Sequence, residues 1–177
     1  YSWDFNLDYL HVIKPQKEFS ISTLYSRTNS NSSFSRIPAT GSDGMIFENT
    51  NDSRNQEFTV QAYYTTPVSN NQILEAGVKG IARIVDSEYE NISRIGGGQF
   101  STLGDLAYNQ NIGAAYLGYT YSTKSRYTLK VGGRYEYTDI TASTLGLLGE
   151  NRNQLNIPAY GNLIPSVNIS KTFAQKY

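Results

Sequence analysis

The sequence predicts an all-β chain, an antiparallel up-and-down meander of about seven strands forming part of a transmembrane β-barrel. Three observations carry this. Apolar and small polar residues alternate with a period of two over most of the chain, which puts one residue set on each face of a strand. The alternating segments run to about ten residues, the tilted span of a bilayer. The connections between them read alternately short and long, as in barrels with tight turns at one rim and longer excursions at the other.

Composition agrees. The 177 residues include 15 Tyr, 7 Phe and one Trp, and Asn, Ser, Thr and Gly are plentiful, a strand-and-turn composition. No apolar run of about 18 residues is present to form a membrane-crossing helix, and a secretory signal sequence is missing, so either the protein is cytosolic or the chain begins inside a longer precursor. Lys+Arg and Asp+Glu both number 15. That balance argues against a nucleic-acid protein, whose affinity rests on clustered Lys and Arg meeting phosphates. With no Cys and a single His, His11, disulfide frameworks, thiolate zinc sites, Cys nucleophiles and multi-His metal sites are excluded as well.

The first strand places Trp3, Phe5, Leu7 and Tyr9 on one face and Asp4, Asn6 and Asp8 on the other. After a turn at Lys14-Pro15-Gln16-Lys17, the second sets Phe19, Ile21, Thr23 and Tyr25 against Ser20, Ser22 and Ser26. The third sets Phe58, Val60, Ala62 and Tyr64 against Thr59, Gln61 and Thr65, and Pro67 to Asn71 reads as a turn. The fourth sets Leu74, Ala76, Val78, Ala82 and Ile84 against Glu75, Lys79 and Arg83. The fifth, from about Asn111 to Ser122, has competing faces: Ile112, Ala114 and Tyr116 against Ala115, Leu117, Tyr119 and Tyr121. A turn at 123–126 leads to the sixth and clearest strand, with Tyr127, Leu129, Val131, Tyr135 and Tyr137 opposed to Thr128, Lys130, Arg134, Glu136 and Thr138. The seventh sets Leu163, Val167, Ile169 and Phe173 against Ser166, Asn168 and Ser170. Pro165, unable to donate to a ladder, is expected near that strand's start, at a rim. The polar segments 28–55, 90–110 and 141–159 are expected to be long surface loops.

Alternation alone also describes a soluble sheet with its apolar face in a core. The charged polar set, Asp4, Asp8, Glu75, Lys79, Arg83, Lys130, Arg134 and Glu136, instead suits the wall of a watery lumen. The aromatics near strand ends, from Trp3 and Tyr9 to Tyr137 and Phe173, suit headgroup-level girdles. The competing reading is a soluble β-barrel or β-sandwich whose aromatics form a core or stack on a small ligand or glycan. Single-chain bacterial barrels use an even number of strands, at least about eight. Seven strands with abrupt ends therefore lead us to expect 1–177 to be one segment of a larger barrel.

Other chemistry is weakly signalled. Gly96-Gly97-Gly98 lacks the Lys-Ser/Thr of a phosphate-binding loop and reads as a flexible loop. Paired carboxylates such as Asp4 with Asp8, or Glu75 with Glu136, could serve acid–base hydrolysis. The cations on the same face, Lys79, Arg83, Lys130 and Arg134, explain them without catalysis, as a cross-strand ladder of ion pairs and hydrogen bonds. No catalytic, cofactor or metal site is expected.

The stretch "YTLKVGGRYEYTDITAS" (Tyr127 to Ser143), followed by "YGNLIPSVNISKTF" (Tyr160 to Phe173), resembles the barrel of TonB-dependent outer-membrane receptors. The shared features are Gly132, Arg134, Tyr135 and Glu136 with Thr138, then Asn162, Leu163, Pro165 and Ser166. Upstream, "QAYYTTPVSNNQILEAGVKG" resembles the preceding hairpin, and "FNLDYLHVIKPQKEFSISTLYSR" a further one, so the likeness covers nearly the whole chain. The resemblance implies a bacterial outer-membrane barrel of about 22 strands. It further implies an N-terminal plug domain, a segment engaging TonB, and gated, non-catalytic uptake of a small substrate. Neither plug nor TonB-binding segment is visible in 1–177. The partners implied are outer-membrane lipid, the plug and remaining barrel of the same receptor, TonB indirectly and an unknown small substrate, with no nucleic acid and no cofactor.

Overall fold

A computed structural model describes residues 1–37, 45–144 and 153–173. They form seven strands: β1 (Ser2–Lys14), β2 (Lys17–Arg36), β3 (Ile46–Ser69), β4 (Gln72–Ile95), β5 (Gly98–Ser122), β6 (Tyr127–Thr144) and β7 (Asn153–Lys171). Each pairs antiparallel with its sequence neighbour in one sheet of order β1-β2-β3-β4-β5-β6-β7. The up-and-down meander expected from the sequence is the observed architecture.

Each turn residue has a local reason. Pro15 presets its own φ, and Gln16 completes the β1–β2 turn with φ 62°. The β3–β4 turn reduces to Asn70 and Asn71, between the facing Ser69 and Gln72. Thr123 organises the β5–β6 turn: its N–H donates to the Tyr127 carbonyl at 2.8 Å, and its Oγ1 accepts the Tyr127 N–H at 3.1 Å. At the opposite rim, Gly96 and Gly97 adopt φ 56° and 80° and join Ile95 to its partner Gly98. Positive φ at both central residues is the hairpin geometry that glycine adopts without strain.

The register settles the faces. Directly paired residues point the same way, so one row can be followed across the whole sheet. Phe5 faces Tyr25, Tyr25 faces Phe58, and Phe58 faces Ala82. Similarly Leu74 faces Tyr119, Tyr119 faces Val131, and Val131 faces Val167. Every apolar set expected from the alternation falls on this one face. The fifth strand resolves with Ala115, Leu117, Tyr119 and Tyr121 on the apolar face, because Ala115 pairs with Val78 and Leu117 with Ala76.

Accessibility runs opposite to that of a soluble sheet. On the apolar face of the central strands Val78 is 56% exposed and Leu117 58%, whereas Ala114 at 8% and Thr138 at 2% lie on the polar face. No second layer covers the apolar side among the described residues. The soluble alternative fails here, since it needs this face in a core.

The apolar face is banded. It is apolar from Leu74 to Ile84 on β4 and from Tyr127 to Tyr137 on β6, then turns polar along a line through Arg27, Gln56, Asp86, Asn111 and Asp139. The band is about ten residues tall, as a bilayer requires, and aromatic rings mark its edges. Trp3 packs on Tyr25 at 5.2 Å near the upper edge, and Tyr127 and Phe173 lie at the lower.

Several sequence expectations are corrected above that line. The supposed loop 90–110 is not a loop: β4 and β5 run straight through it and meet at the Gly96-Gly97 turn, so that glycine run is a tight turn rather than a flexible segment. Most of 28–55 is likewise strand, in β2 and β3, and 141–159 is strand at both ends. Positions 38–44 and 145–152 lie outside the described residues. The regular short–long alternation of connections therefore does not hold. The physical reason is that both faces of a strand projecting beyond the bilayer are polar, which erases the period-two signal. Pro67 belongs to β3, beside a register shift between Pro67 and Ser69. Pro165 sits well inside β7 rather than at its start. Counting from the Thr172 N–H to Arg126 carbonyl bond, Pro165 and Gly133 form a non-hydrogen-bonded pair. The proline nitrogen thus points away from β6, where no ladder bond to that strand is lost.

The banding gives a depth-dependent expectation. Val131→Arg, mid-band on the apolar face, should cost about 2–4 kcal/mol in urea titration of protein folded into lipid vesicles, against about 0–1 for Asn109→Arg at the band's upper edge. Equal costs at the two positions would contradict the band.

Candidate functional site

The polar face carries the candidate site, and strand pairing assembles it. Glu57, Arg83 and Gln110 lie directly opposite one another on β3, β4 and β5. Arg83 Nη2 and Nε donate to Glu57 Oε2 at 2.6 and 2.9 Å, and Arg83 Nη1 donates to Gln110 Oε1 at 3.0 Å. One guanidinium fork thus ties three strands together. Both side chains of the ion pair remain about a third exposed, at 37% and 29%, so the pair contributes no more than about 1 kcal/mol.

A second cluster lies nearer the short turns. Glu75 on β4 forms an ion pair with Lys130 on β6, two strands away, and accepts a hydrogen bond from the Tyr63 hydroxyl on β3. Gly118 stands between them in the register, facing both Glu75 and Gly132. A Cβ on Gly118 would lie 3.3 Å from Glu75 Oε2 and 3.7 Å from the Lys130 Cε, so its absence leaves the path across β5 open. Tyr63 stacks on Tyr116 with ring centroids 5.9 Å apart, and Gln61 Nε2 donates to the Tyr116 hydroxyl at 3.1 Å. Between the two tyrosines in the register sits Gly77, over which the Tyr116 ring folds. A Cβ there would come within 2.2 Å of Tyr116 Cζ.

The eight charged residues singled out from the sequence all share this face, but the structure brings together only some of them. Glu75 and Lys130 pair, and Arg134 Nη2 meets Glu136 Oε2 at 2.6 Å along β6. Arg83 pairs with Glu57, which was not among them. Lys79 and Asp4 form no ion pair among the described residues. Asp8 accepts a hydrogen bond from Asn6 Nδ2 at 2.8 Å. Glu75 and Glu136 stand in separate ion pairs, each neutralised by its own cation. Residues that the sequence reading missed are Glu57, Tyr63 and Gln110, while Gln61 was placed on the polar face and Tyr116 on one of two competing faces without either being singled out for the site. The parity of β3 could have supplied Glu57 and Tyr63, since they share the phase of Thr59, Gln61 and Thr65. Tyr116 lay in the strand of unresolved phase.

Higher on the same face the ladder turns to amides and hydroxyls. Asn49 bonds Asn91, and Ser87 Oγ donates to Asn51 Oδ1 at 3.1 Å. His11 stacks on Tyr9 at 6.4 Å on the apolar face near the end of β1. Among the described residues no group of three His, Cys, Asp or Glu is placed to hold a metal ion, and no helix is long and apolar enough to cross a membrane.

Residues 11–177 match the Outer membrane protein beta-barrel family. The chain belongs to that family. It is an outer-membrane β-barrel chain of the bacterial envelope, and its exposed apolar band is the lipid-facing surface. A search of curated proteins finds no match to the sequence. Among solved structures, the unliganded ferric citrate transporter FecA superposes with a TM-score of 0.64 at 14% identity, covering 98% of this chain and 25% of its own. The ferric yersiniabactin uptake receptor FyuA from Yersinia pestis superposes with a TM-score of 0.65 at 10% identity, covering 98% and 26%. At these identities the likeness shows the fold alone, and this outer-membrane chain spans about a quarter of either structure's length.

The close approach at Gly77 yields a test of the site's packing. Gly77→Ala should destabilise the folded barrel by about 1–3 kcal/mol through overpacking. The same substitution in a Tyr116→Ala background should cost much less. A double-mutant cycle in urea showing no coupling between the two positions would contradict the packing described.

Proposed function

We propose that residues 1–177 are a single segment of the barrel wall of a TonB-dependent outer-membrane receptor. The plug and remaining strands would be supplied elsewhere in the receptor. The observation that carries this reading is the inside-out sheet, with its apolar face exposed and its ion pairs crowded on the polar face. The match of nearly the whole chain to a quarter of two uptake proteins supports it. On this reading the polar face lines the lumen. Asp4, Asp8, Glu75, Lys79, Arg83, Lys130, Arg134 and Glu136 would contact water, the plug or the passing solute. The role is gated nutrient uptake without bond-making chemistry, coupled to TonB through the plug. Both structural relatives are named for ferric chelates, which makes a ferric chelate the first class of solute to test.

Two measurements test this. An antibody to the segment should detect, in the outer-membrane fraction of native cells, a band far larger than the 19.8 kDa of this chain that migrates differently unboiled. A band near the segment's own mass would overturn the receptor reading. Single cysteines at Lys130 and Val131 in the full receptor should differ: a membrane-impermeant thiol reagent should label Lys130→Cys and spare Val131→Cys. Equal labelling would overturn the lumen assignment.

A further inference from the structure

We propose that the short-turn rim of this barrel binds anionic phospholipid, gripping the phosphate headgroup in the periplasmic leaflet. Five cations lie along that rim: Lys14 and Lys17 flank the β1–β2 turn, and, several strands away, Lys124 and Arg126 lie in the β5–β6 turn beside Lys171 at the end of β7. Among the described residues none of the five forms an ion pair with a carboxylate. The acids nearest this rim are Glu18, on the polar face opposite Thr65, and Glu75, already engaged by Lys130 and Tyr63. The other end of the sheet mixes the two signs, with Asp52, Glu88 and Asp105 side by side on adjacent strands and Arg54 and Arg94 beside them, Arg94 paired with Glu48. The positive rim is therefore a local feature of a chain whose Lys+Arg and Asp+Glu are equal at 15 each.

Lys171 shows how such a headgroup would be held. It sits on the apolar face opposite Tyr127, with Nζ 4.5 Å from the Tyr127 ring centre and 5.2 Å from that of Phe173. Nζ also donates to the Tyr127 hydroxyl at 2.8 Å. Two rings fix the ammonium at the lower edge of the lipid-facing band without neutralising it, since a cation–π contact leaves the charge in place. Just above it, Ile169 and Val167 continue the exposed apolar surface, at 72% and 70% exposed. A ligand that meets both surfaces must join a phosphate anion to acyl chains. A phospholipid does, and an inorganic phosphate meets only the first. At this rim all three described connections are short and close to the band, whereas at the other rim the strands run far beyond it, the contrast between the periplasmic and extracellular sides of such barrels, which sets the leaflet.

This inference rests on the family and its membrane placement, not on transport, so its failure would leave the uptake reading standing. The test is native mass spectrometry of the full-length receptor in neutral detergent, titrated with phosphatidylglycerol and phosphatidylcholine of the same acyl chains. Each variant is first shown to be folded by its heat-shifted migration. The wild-type receptor should retain phosphatidylglycerol severalfold over phosphatidylcholine. The triple variant Lys124→Gln, Arg126→Gln, Lys171→Gln should lose at least about fivefold of that preference. Lys124→Arg with Lys171→Arg should keep it, and millimolar inorganic phosphate should leave it unchanged. Equal retention of the two lipids by the wild-type receptor overturns the proposal. So does an unaltered preference in the folded Gln variant, a lost preference in the folded Arg variant, or displacement by inorganic phosphate. If the Gln variant does not fold, the wild-type, Arg-variant and phosphate comparisons decide.

Discussion

The backbone hydrogen-bond ladder is the constraint on which everything else in this chain depends. In hydrocarbon an unpaired N–H or C=O costs several kcal/mol, so a strand can cross a bilayer only with both edges paired. The register meets this demand for β2 to β6, whose antiparallel neighbours stay in step over most of their length, while β1 and β7 pair on one edge among the described residues. Because the backbone is satisfied by pairing, the side chains are released from forming a conventional core. Only Ala114 and Ala142 among the apolar residues described are buried. Cohesion comes from the ladder and from the medium on each side, not from an apolar interior.

That release explains the chemistry of the polar face. Side chains there need not exclude water, but they crowd one another across strands spaced about 4.8 Å apart. The chain uses the crowding to stitch neighbours together, with Arg83 spanning β3 to β5 and Lys130 reaching over β5 to Glu75. Individually such half-exposed pairs are weak. Their placement opposite one another does more, because a one-residue slip would send every one of them into lipid and every apolar residue into water. The ion pairs and the apolar band enforce the same register from opposite sides.

Legibility in the sequence follows the same division. Where one face met lipid and the other water, the alternation of Leu74 to Ile84 or Tyr127 to Tyr137 was sufficient, and both strands were found with their faces correct. β5 resisted because its polar face carries Ile112, Ala114 and Tyr116 while its apolar face includes the small Gly113 and Ala115; contrast between the faces, which periodicity needs, is absent. Beyond the bilayer both faces are wet, and Asn49, Asn51, Ser87 and Asn91 look like loop residues although they form a cross-strand ladder. The turn residues of Gly96-Gly97 were visible, but without flanking alternation nothing marked them as the tip of a hairpin. In the candidate site, charge and parity identified Glu75, Lys130 and Arg83. The partners Glu57, Tyr63 and Gln110 required a register, which only the paired backbone supplies.

The extent of the strands beyond the band changes what this end of the sheet can be. At about 3.4 Å per residue, the 24 residues of β3 extend roughly 80 Å, against a hydrocarbon core of about 30 Å. The surplus lies entirely above the band, since the short turns follow it closely at the lower rim. Segments of such polar composition would be mobile as loops, yet here they are held to their neighbours by continuous pairing through Arg36, Ile46, Ile95 and Gly98. An external surface built this way is preorganised: its side chains pay their ordering cost on folding and not again on contact.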